Sequence, residues 1–287
     1  MWRQMRFCAI EGNEQRLDGG AMFGNAPKEL WKRWATPDEY NCIPLATRSL
    51  LITNDDGTRI LIDAGIGTFF PEKLRQRYGI QGKTNALVKN LAKEGVSTEE
   101  IDIIILSHMH FDHVGGLLSD YNEEEKPQLI FPNASFFVSE EQWERARQPH
   151  LRDHASFIKE LPSLLTESKE LTLVQKEGPL PNIPSITVTF SHGHTPGMMV
   201  LTINSPQQTV IFCSDLIPGT PWVHLPITMG YDRFPEKIVE EKELLLQSAV
   251  ENNALLCFTH DPHTAFAHVT KNEKGRYCIN TQRVYFR

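Results

Sequence analysis

The chain has 287 residues, 40% of them apolar, with 18 glycines and 18 prolines, which supplies a packed core and shows no compositional bias toward disorder. Its 29 Lys and Arg against 36 Asp and Glu give a net charge of −7, and a phosphate backbone gains little from such a surface, so nucleic acid is not expected as a partner. Cys8, Cys42, Cys213, Cys257 and Cys278 are odd in number and form no Cys-x-x-Cys pair, which argues against a disulfide framework. The start MWRQMRFCAIEGNEQ lacks a signal peptide's apolar run, and no stretch approaches the roughly 18 apolar residues of a membrane span, so the expectation is a cytoplasmic protein without membrane association.

In chain order, Arg48 to Asn54 and Arg59 to Asp63 are short β-branched runs around Asp55-Asp56-Gly57, which predicts a hairpin. Leu87, Val88 and Leu91 fall at helical spacing between Thr84 and Glu94, with Gly95 as the stop. Ser97-Thr98-Glu99-Glu100 has the form of a capping box. Ile101 to Leu106 is too short and too β-branched for a helix and predicts a strand buried on both faces.

Further strands are predicted over Ser135 to Val138, Leu171 to Val174, Ile186 to Phe190, Met199 to Ile203, Thr209 to Cys213 and Leu255 to Thr259, with a helix from Glu140 to Arg147. Gly178 to Pro184 has the composition of a loop, and Pro235 opens a last helix to about Asn252 whose Glu/Lys-rich face suggests a solvated outer helix. Many strands with a few helices between them suggest two layered sheets covered by helices. The expectation is a single α/β (α+β) domain over 1–287, with a segment of about 1–45 as an extension contributing to a pocket or a dimer interface.

The polar stretch Ser107 to Gly116 follows the buried run and holds four metal-ligand types in six positions, His108, His110, Asp112 and His113. On an extended segment His108 and His110 project to the same side, so both imidazoles reach one cation, while Asp112 and His113 follow where the chain turns toward a helix. Gly115 and Gly116 let backbone pass close behind them. Further candidates sit at predicted strand ends: His194 in Ser-His-Gly-His-Thr-Pro-Gly, Asp215 in Phe-Cys-Ser-Asp, and His260 in Phe-Thr-His-Asp. His192 and His263 compete with His194 and His260 by proximity, Cys213 shares a strand face with Asp215, and His150, His154 and His268 carry no spacing signal.

The order HxHxDH, GHTPG, SD, HD resembles the metallo-β-lactamase superfamily across nearly the whole chain. The resemblance implies a four-layer αββα sandwich with two metal ions, zinc first and Mn2+ or Fe2+ as other choices. One metal would take His108, His110 and His194 and the other Asp112, His113 and His260, with Asp215 bridging. A metal-bridging hydroxide would then cleave an ester-like bond (lactone, carboxylic ester or phosphotriester), with Asp112 passing the proton to the leaving group. Asp63, in the phrase LIDAG, is the candidate to orient a ligand from behind.

Within the superfamily, Gly19 to Pro27 is similar to a Gly-Gly-x-Met-Phe-Gly-x-x-Pro run of the acyl-homoserine lactonases and methyl-parathion-type hydrolases. That branch implies a homodimer. Where those lactonases place a substrate-holding tyrosine this chain has Pro218, so either another group, with His224 and Tyr231 as candidates, does that work or the substrate differs. Phe23, Trp31, Trp34, Tyr40, Trp222 and Met229 serve either as an apolar pocket, Phe23 touching a partly apolar small-molecule substrate, or as a subunit interface. Two other activities stay open: a mononuclear iron-dependent oxygenase of the same fold, and a glyoxalase II-like thioesterase, against which the short stretch 261–287 counts.

Overall fold

Alternating and continuous apolar runs build two large sheets, each in its own compact unit of the chain, beside a two-stranded one of Gln15–Asp18 and Cys42–Leu45. The computed structural model describes residues 4–280; residues 1–3 and 281–287, which the expected 1–287 domain includes, lie outside the described residues. One unit is built from residues 4–15 and 46–176, the other from 16–45 and 177–280.

In the first unit the hairpin forms as the sequence predicts: Arg48–Asn54 pairs antiparallel with Arg59–Ile62 around the Asp55-Asp56-Gly57 turn. Its outer neighbour is Met5–Glu11, a strand absent from the sequence reading, which buries Met5, Phe7 and Ile10. On the other side Arg59–Ile62, Ile103–Ile105, Ser135–Ser139 and Glu170–Val174 run parallel in that order, giving six strands among the described residues. Parallel strands need covering helices. Ala86–Lys93 turns Leu87 and Leu91 inward, and Glu140–Arg147 buries Trp143 and Ala146. Ser97 and Glu100 make the capping box on a single 3-10 turn, Thr98–Glu100.

Strand Ile103–Ile105 is shorter than the 101–106 run that predicts it, because Ile101 closes the 3-10 turn before it. Leu106 still donates to the Phe137 carbonyl, so the ladder holds the backbone up to Ser107.

In the second unit the strand order is Tyr277–Asn280, Phe266–Lys271, Leu255–Cys257, Thr209–Phe212, Met198–Asn204, Ile183–Ser191, Gly178–Leu180. Only Thr209–Phe212 with Leu255–Cys257 is parallel, and helix Pro235–Glu251 makes the crossover between them. Gly178–Pro184, expected as a loop, is instead a tight hairpin: Gly178–Leu180 turns through Asn182, which sits at φ 63°, into Ile183–Ser191. Asparagine tolerates that left-handed turn, which the Pro-rich composition hides. Phe266–Lys271 and Tyr277–Asn280 also went unseen, polar residues masking both; the second is a sheet edge among the described residues.

The last helix corrects a second expectation. It is not simply a solvated cover, because Ile238, Lys242, Leu246 and Ala249 lie on one buried stripe at spacings of four, four and three. Lys242 is fully buried, its Nζ donating to the carbonyls of Trp222, His224 and Ile227 at 3.0, 3.3 and 2.6 Å. Burial pushes its ammonium down to about 7, with Asp232 pulling the other way. No helix among the described residues is long and apolar enough to cross a membrane.

Leu246 is completely buried on that stripe, so Leu246→Ala is expected to lower the unfolding free energy by about 2–5 kcal/mol. Urea titration of metal-free protein measures this, and a loss below about 1 kcal/mol contradicts the packing described.

Candidate metal centre

The first set of candidate ligands sits where a strand flanked on both sides inside the six-stranded sheet, Ile103–Ile105, runs out. Ser107 and His108 are fully buried, and Met109 N donates to the buried Gln142 side chain at 3.1 Å, which fixes the backbone between the two histidines. His110 then caps helix Phe111–Val114, which carries Asp112 and His113. His108 Nε2 and His110 Nδ1 stand 3.1 Å apart, the convergence that same-side projection implies.

Behind them Asp63 is the organising group. It is fully buried at φ 56° and accepts from Ser107 N and Ser107 Oγ at 2.7 Å each and from His113 Nδ1 at 2.8 Å. A left-handed aspartate costs about 1–3 kcal/mol and persists only where surroundings over-determine it. The contact fixes the His113 proton on Nδ1 and leaves Nε2 to ligate. Ser107 Oγ also lies 3.2 Å from His108 Nδ1, so one carboxylate steadies two histidines. The role expected for Asp63 is thus met by geometry. Gly116 passes so close to Ala64 that an added Cβ would fall on its carbonyl oxygen, the tight approach expected of that glycine pair.

The second set of candidates hangs from three strands of the seven-stranded sheet, two of them neighbours and the third one strand away across Met198–Asn204. His194 follows Ile183–Ser191, Asp215 follows Thr209–Phe212 and His260 follows Leu255–Cys257. The Asp215 carboxylate divides between the two histidines: Oδ2 lies 3.2 Å from His194 Nε2 and Oδ1 3.1 Å from His260 Nε2. Its predecessor Ser214 sits at φ 48°, a second strained residue aiming an acid. His194 Nδ1 donates to Asp232 at 2.9 Å, and the other Asp232 oxygen accepts from Met229 N at 2.7 Å. Asp232 does for His194 what Asp63 does for His113. Sequence reasoning named no partner for His194, because no motif links positions 38 residues apart.

His260 N donates to the Pro218 carbonyl at 2.8 Å, so the residue in the lactonase tyrosine position holds the His260 turn through its backbone. Asp261 ties that turn down, accepting from Thr220 N and Oγ1 at 2.9 and 2.6 Å and from His263 N and Thr264 N.

All seven expected ligands, His108, His110, Asp112, His113, His194, Asp215 and His260, are among the His and Asp candidates for holding a metal ion. Neither His192, whose Nδ1 accepts from Gly197 N, nor His263 enters those candidates. Cys213 is a core filler: burial drives its thiol pKa far up, and Sγ points to the Ile211 carbonyl at 3.6 Å.

The substrate candidates scatter. Phe23 is fully buried in an aromatic stack, nearly parallel to Trp31 at 5.5 Å and Trp222 at 4.6 Å, and borders a cavity of about 370 Å³ with Trp34, Leu45, His260 and His263. His224 lines other cavities, with Tyr277 and Pro221, and burial, then Arg276 and Lys242, hold its imidazole below the usual range. Tyr231 is 43% exposed.

Histidines and carboxylates at buried strand ends, with His113 and His194 held through Nδ1 by buried carboxylates, are the apparatus of a divalent-metal hydrolase. The family model of the metallo-beta-lactamase superfamily matches residues 42–260, and the chain belongs to that superfamily, with its mixed α/β fold. It is a metal-dependent hydrolase of that fold. Among solved structures, a probable metal-dependent hydrolase from Staphylococcus aureus is 27% identical, with TM-score 0.84 over 99% of this chain and 100% of that one. AidC, a dizinc quorum-quenching lactonase in complex with the product N-hexanoyl-L-homoserine, is similar at TM-score 0.76 and 21% identity, covering 99% and 97% of the two chains. The hydrolase AbOPH of the beta-lactamase superfamily gives 0.75 and 18%, covering 99% and 95%. No curated protein matches.

Asp63→Ala and Asp232→Ala each free one histidine ring, so each is expected to weaken metal affinity by about 10–100-fold. Competition against a chromogenic chelator reads this, and wild-type affinity in both variants would show that the carboxylates orient nothing.

Proposed function

We propose that the two ligand sets complete one dinuclear centre that hydrolyses an ester-like bond in a small, partly apolar molecule. The observation that carries this reading is the fixing of His113 and His194 through Nδ1 by buried carboxylates, which leaves Nε2 of each for an ion. The donor set of imidazoles and carboxylates fits zinc, with manganese or iron as other occupants. The order of the motifs along the chain, which is the superfamily's, supports His108, His110 and His194 on one ion, Asp112, His113 and His260 on the other, and Asp215 between them.

Two bound divalent ions supply Lewis acidity and ionise water near neutral pH. The chain's own residues do the rest. Asp63 and Asp232 hold the ligand rings in one tautomer and one orientation. Asp112, half-buried at the start of helix Phe111–Val114, is the carboxylate we assign to carry a proton to the leaving oxygen. The cavity beside His260, walled by Phe23, Trp34, Leu45 and Trp222, suits an apolar substituent of the substrate. A lactone or carboxylic ester is the favoured class, since the similar structures include lactonases, and Pro218 leaves the carbonyl to be held by another group, for which His224 and Tyr231 are our candidates. We take the active form to be a cytoplasmic homodimer acting with neither nucleic acid nor membrane.

Protein purified without added metal and assayed on a lactone, an aryl ester and a phosphotriester tests this reading. About two zinc ions per chain are expected, with hydrolysis abolished by chelation, restored by zinc, and lowered more than about 100-fold by His110→Ala. One iron per chain with oxygen consumption and no hydrolysis contradicts it.

A further inference from the structure

The loop that carries His194 is held by more than its own strand. After Ile183–Ser191 the chain runs through Ser191, His192 and Gly193 to the histidine, and all three bond to one side chain. Glu241, on helix Pro235–Glu251, accepts from Ser191 Oγ at 2.7 Å, His192 N at 2.9 Å and Gly193 N at 3.2 Å. The residues leading into the helix close on the loop from its other side: Phe234 N donates to the Gly193 carbonyl at 2.8 Å, and Arg233 N to the His194 carbonyl at 3.2 Å. Gly193 packs directly on Ile238, leaving no space for a side chain.

The helix is itself a fixed reference. Its buried stripe anchors it, and Lys242, next to Glu241, ties it through three carbonyl bonds to the segment Trp222 to Ile227. That segment leads into Met229 and Asp232, the pair that holds His194 Nδ1. One helix therefore secures both the backbone that carries the ligand and the chain that carries the ligand's partner.

We propose that Glu241 is a positioning residue for the metal centre, fixing the Ser191 to Gly193 backbone so that Asp232 can aim His194. A carboxylate suits this task because it accepts several bonds at once, and charge-assisted bonds to backbone N–H groups are the stronger kind. A neutral side chain of similar shape keeps one acceptor oxygen and so retains part of the effect. The proposal rests on the proposed function, since it concerns His194 as a ligand.

The test is zinc affinity, measured on metal-stripped protein by chelator competition, with circular dichroism of the metal-free chain as the control for folding. In Glu241→Ala one of the two zinc sites is expected to weaken by about 10–100-fold while the other keeps wild-type affinity, with Glu241→Gln intermediate. Because Glu241 and Asp232 act on one histidine, Glu241→Ala combined with Asp232→Ala is expected to lose less affinity than the product of the single losses. Wild-type zinc affinity at both sites in a folded Glu241→Ala chain overturns the proposal, as do single losses that multiply independently. A wild-type chain that takes up no zinc contradicts the proposed function instead, so the two failures are distinguishable.

Discussion

A histidine serves a metal best when its other nitrogen is held, and two of the candidate ligands here, His113 and His194, are held that way. A free imidazole tautomerises and rotates, and burying several of them unheld is costly. Here each ligand set contains one buried carboxylate that removes the freedom, Asp63 for His113 and Asp232 for His194. Both acids also accept from backbone or hydroxyl donors, Asp63 from Ser107 N and Oγ and Asp232 from Met229 N, which orients each carboxylate. The strain at Asp63 and Ser214 belongs to the same logic: two left-handed residues place acids where the strand ends alone would not.

The candidate ligands were legible because their chemistry is local. His108, His110, Asp112 and His113 are packed into six positions after an apolar run, and GHTPG, SD and HD each follow a recognisable strand. Strand existence was legible for the same reason, though the ends moved by a residue or more wherever a turn claimed the last position, as at Asp63, Cys213 and Thr259. Asp63 announced itself through its phrase.

What stayed hidden is what depends on distant pairing. Asp232 lies 38 residues from the histidine it holds, and nothing around Tyr231-Asp232-Arg233 marks it. The helix Pro235–Glu251 shows a charged sequence, and charge normally means solvent. Lys242 breaks that rule because three main-chain carbonyls accept its hydrogen bonds, and Glu241 breaks it by bonding a loop, facts that periodicity cannot carry. Met5–Glu11, Phe266–Lys271 and Tyr277–Asn280 acquire their structure from neighbours in the sheet and carry weak patterns of their own.

The central claim is that the two ligand sets hold two ions about the Asp215 carboxylate. Anomalous diffraction at the zinc edge from crystals of the zinc-loaded protein tests it most directly. The account predicts two peaks per chain, about 3.5–4 Å apart, one on each side of Asp215. A single peak, or zinc bound away from His108, His110, Asp112, His113, His194, Asp215 and His260, would contradict it.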